Sequence, residues 1–232
     1  MSGPPRDQRP LVLLCGGLVL LALLQWRDLD LRLADRLYAS QGMAWRLRHD
    51  PLFANLFHAR VQQASKLGYL ATAALAVCAC ALPRWRPWRR RLLYTLLAMT
   101  LCYALVTAGK TLLPVPCPWD LTRYGGYLPP GGWLQWQSGA AAVKGCFPSG
   151  HATGGYALFA WYFAARDARC PHARIVLALA LFAGLALGLV QQLRGAHFLS
   201  HDVAAAAVCW TVCASLADRL LPAAAPSPCT GR

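Results

Sequence analysis

The stretch Cys146-Phe147-Pro148-Ser149-Gly150-His151 runs directly into the apolar segment Ala152 to Ala165, and its reading decides how the rest of the chain is read. Pro148 and Ser149 are helix-start signals, with Ser149 placed to cap the first turn through its side-chain oxygen. Gly150 lets a ligand come close to the backbone. His151 falls in the first turn, where free N–H groups and the positive end of the helix dipole attract an anion. A hydroxyl, a bare backbone and a titratable imidazole at one helix mouth suit phosphate chemistry. The plainer alternative is an ordinary capped membrane helix with a histidine at its end, and the rest of the chain has to decide.

The sequence has 232 residues, of which 57% are hydrophobic and only 14% charged. That composition excludes a typical soluble domain and implies a polytopic membrane protein. The formal net charge of +14 could suggest nucleic acid. The arginines, however, cluster between apolar runs instead of forming a stripe on a polar domain, so no nucleic-acid partner is expected. Ten cysteines are scattered, without a Cys-x-x-Cys pair. Cys78, Cys80, Cys102, Cys209 and Cys213 lie within apolar runs and read as small buried hydrophobes.

Hydropathy predicts an all-α bundle of six transmembrane helices in a single domain over 1–232, at about 11–26, 64–82, 92–109, 150–165, 174–193 and 203–221. The first run follows Arg6 and Arg9 but lacks a small-residue cleavage site, so it reads as an uncleaved anchor. Basic loops set the orientation. Arg84, Arg86, Arg89, Arg90 and Arg91, and then Arg166, Arg169 and Arg174, place two loops and both termini in the cytoplasm. Segments Arg27 to Lys66, Lys110 to Ser149 and Arg194 to Asp202 then face outward. The expected location is the inner membrane, with the site on the periplasmic or outer face.

In the first outward segment, Leu29, Leu33 and Leu37 recur at helical spacing, which predicts a short interfacial helix. Asp50-Pro51 is a cap and first-turn pair, followed by one apolar face of Leu52, Phe53, Leu56, Phe57 and Val61. Asn55, His58 and Gln62 share the opposite face, which reads as solvated. The second outward segment is too rich in Gly and Pro for a regular helix, and Trp119, Trp133 and Trp136 suit the membrane interface. Cys117 and Cys146 bracket it, and in an oxidising compartment a disulfide between them would tie the loop across the helix mouth.

This topology brings three polar clusters to one face. Lys110 ends the third helix, Ser149 to His151 begin the fourth, and Arg194, His197, His201 and Asp202 link the fifth to the sixth. Ionisable groups gathered at helix ends on one aqueous side are functional candidates. Their order and spacing resemble the type 2 phosphatidic acid phosphatase superfamily, whose motifs are Lys-x6-Arg-Pro, Pro-Ser-Gly-His and Ser-Arg-x5-His-x3-Asp. The middle motif is complete as Pro148-Ser149-Gly150-His151. The first keeps Lys110 and Pro118 but has Cys117 in place of Arg. In the third, His197 stands at the nucleophile position, Gln191 at the Arg position and His201 at the Asp position.

The resemblance implies a membrane phosphatase that removes phosphate from a phosphorylated or diphosphorylated lipid. His197 would attack phosphorus to give a phosphohistidine, and His151 would protonate the leaving oxygen. Lys110, the Ser149 hydroxyl and the Gly150 N–H would hold the phosphoryl oxygens. His201, or alternatively Asp202, would orient His197. No metal or other cofactor is implied. Arg194 and Arg123 are candidates to replace the two missing arginines, whose bidentate grip Gln and Cys do not reproduce. Two alternatives carry the same residues. One is a phosphotransferase moving a phosphoryl group from a polyprenyl diphosphate to a lipid acceptor. The other is a non-catalytic protein binding haem or metal through His151, His197 and His201. Oligomeric state is not legible in the sequence.

Overall fold

The computed structural model of the chain describes residues 16, 17, 21, 28–113, 115–129 and 145–221. Among these, the regular elements are all helical, with one isolated bridge between Leu121 and Leu128. Helix α1 is Leu29–Ser40, and a short turn, Arg46–His49, follows it. A π-helical segment, Leu52–Arg60, leads into α2, Val61–Ala81. After the tight turn Pro83–Trp88 come α3, Arg89–Leu112, and then α4, Gly150–Tyr156, and α5, Phe159–Asp167. Ala173–Leu193 forms α6 and Leu199–Leu220 forms α7.

Four helical stretches among the described residues are long and apolar enough to cross a membrane: Val61–Ala81, Pro83–Leu112, Ala173–Leu193 and Leu199–Leu220. The other two of the six expected spans stand differently. The run 11–26 lies, apart from residues 16, 17 and 21, outside the described residues. The run 150–165 forms two helices. Between them the ladder tightens to i→i+3 bonds, Leu158 N–H to the Gly155 carbonyl and Trp161 N–H to the Leu158 carbonyl, both at 3.0 Å. Local 3₁₀ winding of this kind breaks a helix. It follows Gly154-Gly155, which has poor helical propensity.

That glycine pair has a packing role. A Cβ on Gly155 would lie 2.2 Å from the Gly184 nitrogen, so α4 and α6 cross with their backbones in contact. Helices in lipid associate in this way, through small residues that permit close approach. Gly184 and Gly188 are spaced four apart on α6, and a Cβ on Gly188 would strike the Asp202 carboxylate of α7. The core beside this crossing is built from Tyr94, Met99, Cys102, Tyr156, Phe159 and Phe163, with Cys209 and Cys213 from α7. Tyr94 donates its hydroxyl to the Cys213 carbonyl at 2.8 Å, satisfying the one polar atom that a buried tyrosine brings with it. Leu67 and Val77 of α2, Leu105 of α3, and Leu179, Phe182 and Leu185 of α6 point outward. These apolar outer faces suit hydrocarbon as solvent.

The two ends of the bundle differ. At one end, Arg91 Nε donates to Asp167 Oδ2 at 2.7 Å, with Arg90 behind at 3.6 Å, tying the start of α3 to the end of α5. At the other end the chain gathers Lys110, Gly150 and His197. There, α7 begins at Leu199, four residues before the span expected at 203, so His201 and Asp202 belong to its first turn. Hydropathy set that boundary too late because polar residues at a helix start lower the apolar signal without breaking the helix. An acidic side chain in the first turn favours the helix dipole.

Candidate active site

Ser149 caps α4 as its sequence predicts. Its hydroxyl oxygen accepts from Ala152 N–H at 3.3 Å, and its carbonyl accepts the Thr153 hydroxyl at 2.7 Å. Its own N–H donates to the His201 carbonyl at 3.0 Å, so the mouth of α4 is bonded directly to the first turn of α7. The Asp202 carboxyl also meets the Ser149 side chain. A Cβ on Gly150 would stand 3.3 Å from Lys110 Cε. The missing side chain there leaves room for the lysine to pass over the helix mouth. Cys117 and Cys146 form a disulfide, which joins the position occupied by Arg in the first motif to the residue just before Phe147.

His197 and His201 meet with Nδ1 to Nδ1 at 3.2 Å. His201 is sealed in a dry aromatic setting, edge-on to Phe147 and Phe198. Of the two candidate orienters, His201 touches His197, whereas Asp202 Oδ2 accepts from Gln192 Nε2 at 2.6 Å. Burial holds His197 well below the ordinary histidine range, and the nearby His201, Lys110 and His151 push it further down. The imidazole is therefore neutral at neutral pH. Lys110 and His151 thus lie within electrostatic reach of His197.

A cavity of about 790 Å³ opens between α2, α3 and α4, and Lys110, Gly150 and His151 line it. His197 does not; it lines a separate small cavity beside α1, with Asp30, Gln192 and Phe198. The opposite wall is α2, which contributes Gln62, Ser65 and Lys66 at the polar end and Tyr69 and Leu70 at the apolar end. Gln62 is exposed, as expected, and also lines the cavity. Ser65 and Lys66 escaped the motif reading because no local pattern marks them. Positions 62, 65, 66 and 69 share one helical face, which is the signal that would have grouped them. Asp50 caps the segment before α2, its Oδ1 accepting from Leu52 and Phe53 N–H at 2.9 and 3.0 Å. Asn55 is exposed, and the His58 side chain is outside the described residues.

The two arginines expected to replace the family pair go elsewhere. Arg123 forks onto Asp35 at 2.7 and 2.6 Å on the exposed side of α1 and does not line the cavity. Its hydrogen bonds hold the Asp35 carboxyl below the usual carboxylate range. Arg194 is buried; its Nη1 donates to Gln191 Oε1 at 3.1 Å, and its Nη2 lies 3.5 Å from the Arg48 carbonyl. Burial lowers its affinity for its proton, as does the Arg48 charge. The Gln191 side chain, at the family's Arg position, therefore holds Arg194. Among the described residues, the cluster with metal-ligand spacing is Cys117, Asp120 and Cys146, whose two thiols are joined to each other. His151, His197 and His201 do not form such a cluster.

These apolar helices define a multi-pass membrane protein whose lysine and histidines collect at one end of the bundle. The PAP2 superfamily profile matches residues 91–219, more than half of the chain, and the chain belongs to the PAP2 superfamily. Membership supports phosphatase activity on phosphorylated substrates. No curated protein and no solved structure matches the chain significantly.

Proposed function

We propose that the protein removes phosphate from a phosphorylated or diphosphorylated membrane lipid at the extracytoplasmic face of the inner membrane, through a phosphohistidine and without metal. The observation that supports this reading is that Lys110, Gly150 and His151 line one cavity while the Ser149 N–H at the same helix mouth is bonded to the carbonyl of His201, which touches His197. In the tautomer in which His197 Nδ1–H donates to His201 Nδ1, Nε2 carries the lone pair that attacks phosphorus. As the Nε2–P bond forms, the bond from phosphorus to the lipid or phosphate oxygen breaks. His151 gives that oxygen its proton. Water then attacks the phosphohistidine, His151 takes the water's proton, and phosphate leaves.

Lys110 and the Gly150 N–H, on the cavity wall, hold the phosphoryl oxygens where charge grows in the transition state, and the buried Ser149 hydroxyl, engaged with Ala152 N–H and Asp202, must turn from them to join. The headgroup enters from the cavity and shifts the flexible Lys110 side chain to reach His197. The cavity's apolar end at Tyr69, Leu70 and Tyr103 takes the first part of the hydrocarbon chain. Phosphate release from phosphatidic acid, phosphatidylglycerol phosphate, undecaprenyl diphosphate and lipid A tests the reading. Release without an added acceptor is expected from the wild type. In His197→Ala it is expected to fall at least ~10³-fold, the scale of losing a nucleophile; a His197→Ala protein as active as wild type would overturn the assignment.

A further inference from the structure

We infer that α1 is a clamp on the catalytic loop, and that Asp30 and Gln41 are positioning residues for His197. The inference rests on His197 as nucleophile, but the residues concerned lie outside the stretch 91–219 matched by the family profile. His197 sits in a short connection between the last residue of α6, Leu193, and the first of α7, Leu199. Gly195 and Ala196 N–H close back onto the Gln192 and Gln191 carbonyls at 2.9 and 2.8 Å, but the end of α6 and the start of α7 still leave backbone groups to be satisfied. The N-cap of α7 is Phe198, which has no side chain able to accept.

The ends of α1 supply what is missing. Asp30 is buried, and its Oδ1 accepts from Ser200 N–H at 2.9 Å across 170 residues of sequence. The Leu199 N–H faces the same carboxyl. Asp30 therefore caps α7 from another element, one residue before His201. At the far end, Gln41 Nε2 donates to the Leu193 carbonyl at 2.8 Å, closing the last turn of α6, while its Oε1 accepts from Leu47 N–H at 3.0 Å. Gly195, at φ +71°, lies flat against the Trp45 indole, where a Cβ would stand 2.4 Å from the ring, and its carbonyl accepts Trp119 N–H at 3.0 Å.

The loop is thus pinned before, within and after the stretch that carries His197. The consequence is orientational. A nucleophile must hold its lone pair on line with phosphorus, and small misplacements from remote changes lower turnover far more than binding. Asp30 and Gln41 do not line the cavity of Lys110, His151 and the α2 wall, where the headgroup is proposed to bind. Loss of the clamp should therefore affect kcat and leave KM nearly alone.

Full-length protein in mixed micelles with phosphatidic acid as probe provides the test. Asp30→Ala and Gln41→Ala are expected to lower kcat roughly 10- to 100-fold with KM within about twofold. Asp30→Asn, which keeps the accepting oxygen, is expected to recover most of the loss. Arg36→Gln, on the exposed side of α1, should match wild type. Amide exchange in peptides covering 194–201 should accelerate in Asp30→Ala, a readout that needs no activity. The clamp is overturned if exchange there is unchanged, if kcat stays at the wild-type value, or if Asp30→Asn is as impaired as Asp30→Ala. Should Asp30→Ala fail to fold, Asp30→Asn and Gln41→Ala decide alone. His197→Ala separates the two ideas: an active His197→Ala sinks the nucleophile, whereas an inactive one beside a fully active Asp30→Ala sinks only the clamp.

Discussion

His197 has to be neutral to attack, and its surroundings keep it so. Burial disfavours the imidazolium, and Lys110 and His151 add positive charge nearby. The acid limb of kcat/KM should therefore lie below 6.5, the ordinary histidine value. Lys110→Met should move that limb upward while lowering the rate, because removing a neighbouring cation makes protonation easier; a pH–rate profile of both proteins checks it. The same shift is linked to stability. The unfolded chain binds this proton more readily than the folded one, so the contribution is complete above 6.5 and is lost as the pH falls below it. His201 and Asp202 can also be separated. His201→Ala should lower kcat at least ~10-fold by releasing the His197 ring. Asp202→Asn keeps an oxygen for Gln192 and should stay within a few fold of wild type.

Among the elements, two ties bind the helices to one another at opposite ends. The Cys117–Cys146 disulfide fastens the segment after α3 to the approach to α4. Mass spectrometry without reductant should recover the linked peptides. Replacing both cysteines with serine should lower stability by about 2–4 kcal/mol, since the bridge closes a loop in the unfolded chain. At the other end, Arg91 and Asp167 form a largely buried pair, with side-chain exposures of 9% and 6%. Asp167→Ala leaves the guanidinium without its carboxylate and should cost about 3–5 kcal/mol, read by thermal denaturation in detergent. The break after α4 follows Gly154-Gly155, a pair visible in the sequence, although the apolar run continues through Ala157 and Leu158; the close approach of Gly155 to Gly184, about thirty residues on, is visible only in the fold.

For the whole molecule, the charge pattern and the proposed chemistry agree on which end faces outward. A membrane-impermeant maleimide applied to intact cells should label Tyr127→Cys, exposed at the site end, and not Arg86→Cys, exposed at the arginine-rich end. The reverse pattern would place the pocket in the cytoplasm. The cavity's walls come from α2, α3 and α4, so its shape and width are products of packing, and selection of the proposed substrate belongs to this scale.

Composition and hydropathy by themselves determined that the chain is helical and membrane-embedded, because apolar runs of this length have few other ways to satisfy their backbone in lipid. Motif spacing determined Lys110, Ser149, Gly150, His151, His197 and His201 as candidates, because each stands at a helix end where polar side chains interrupt an apolar pattern. Only the tertiary structure decided that Arg123 and Arg194 are engaged with Asp35 and Gln191, that Gln62, Ser65 and Lys66 face the cavity, and that Asp30 and Gln41 hold the His197 loop. Those contacts join residues far apart in the chain, and local periodicity carries no information about which helix end a side chain will meet once the bundle closes.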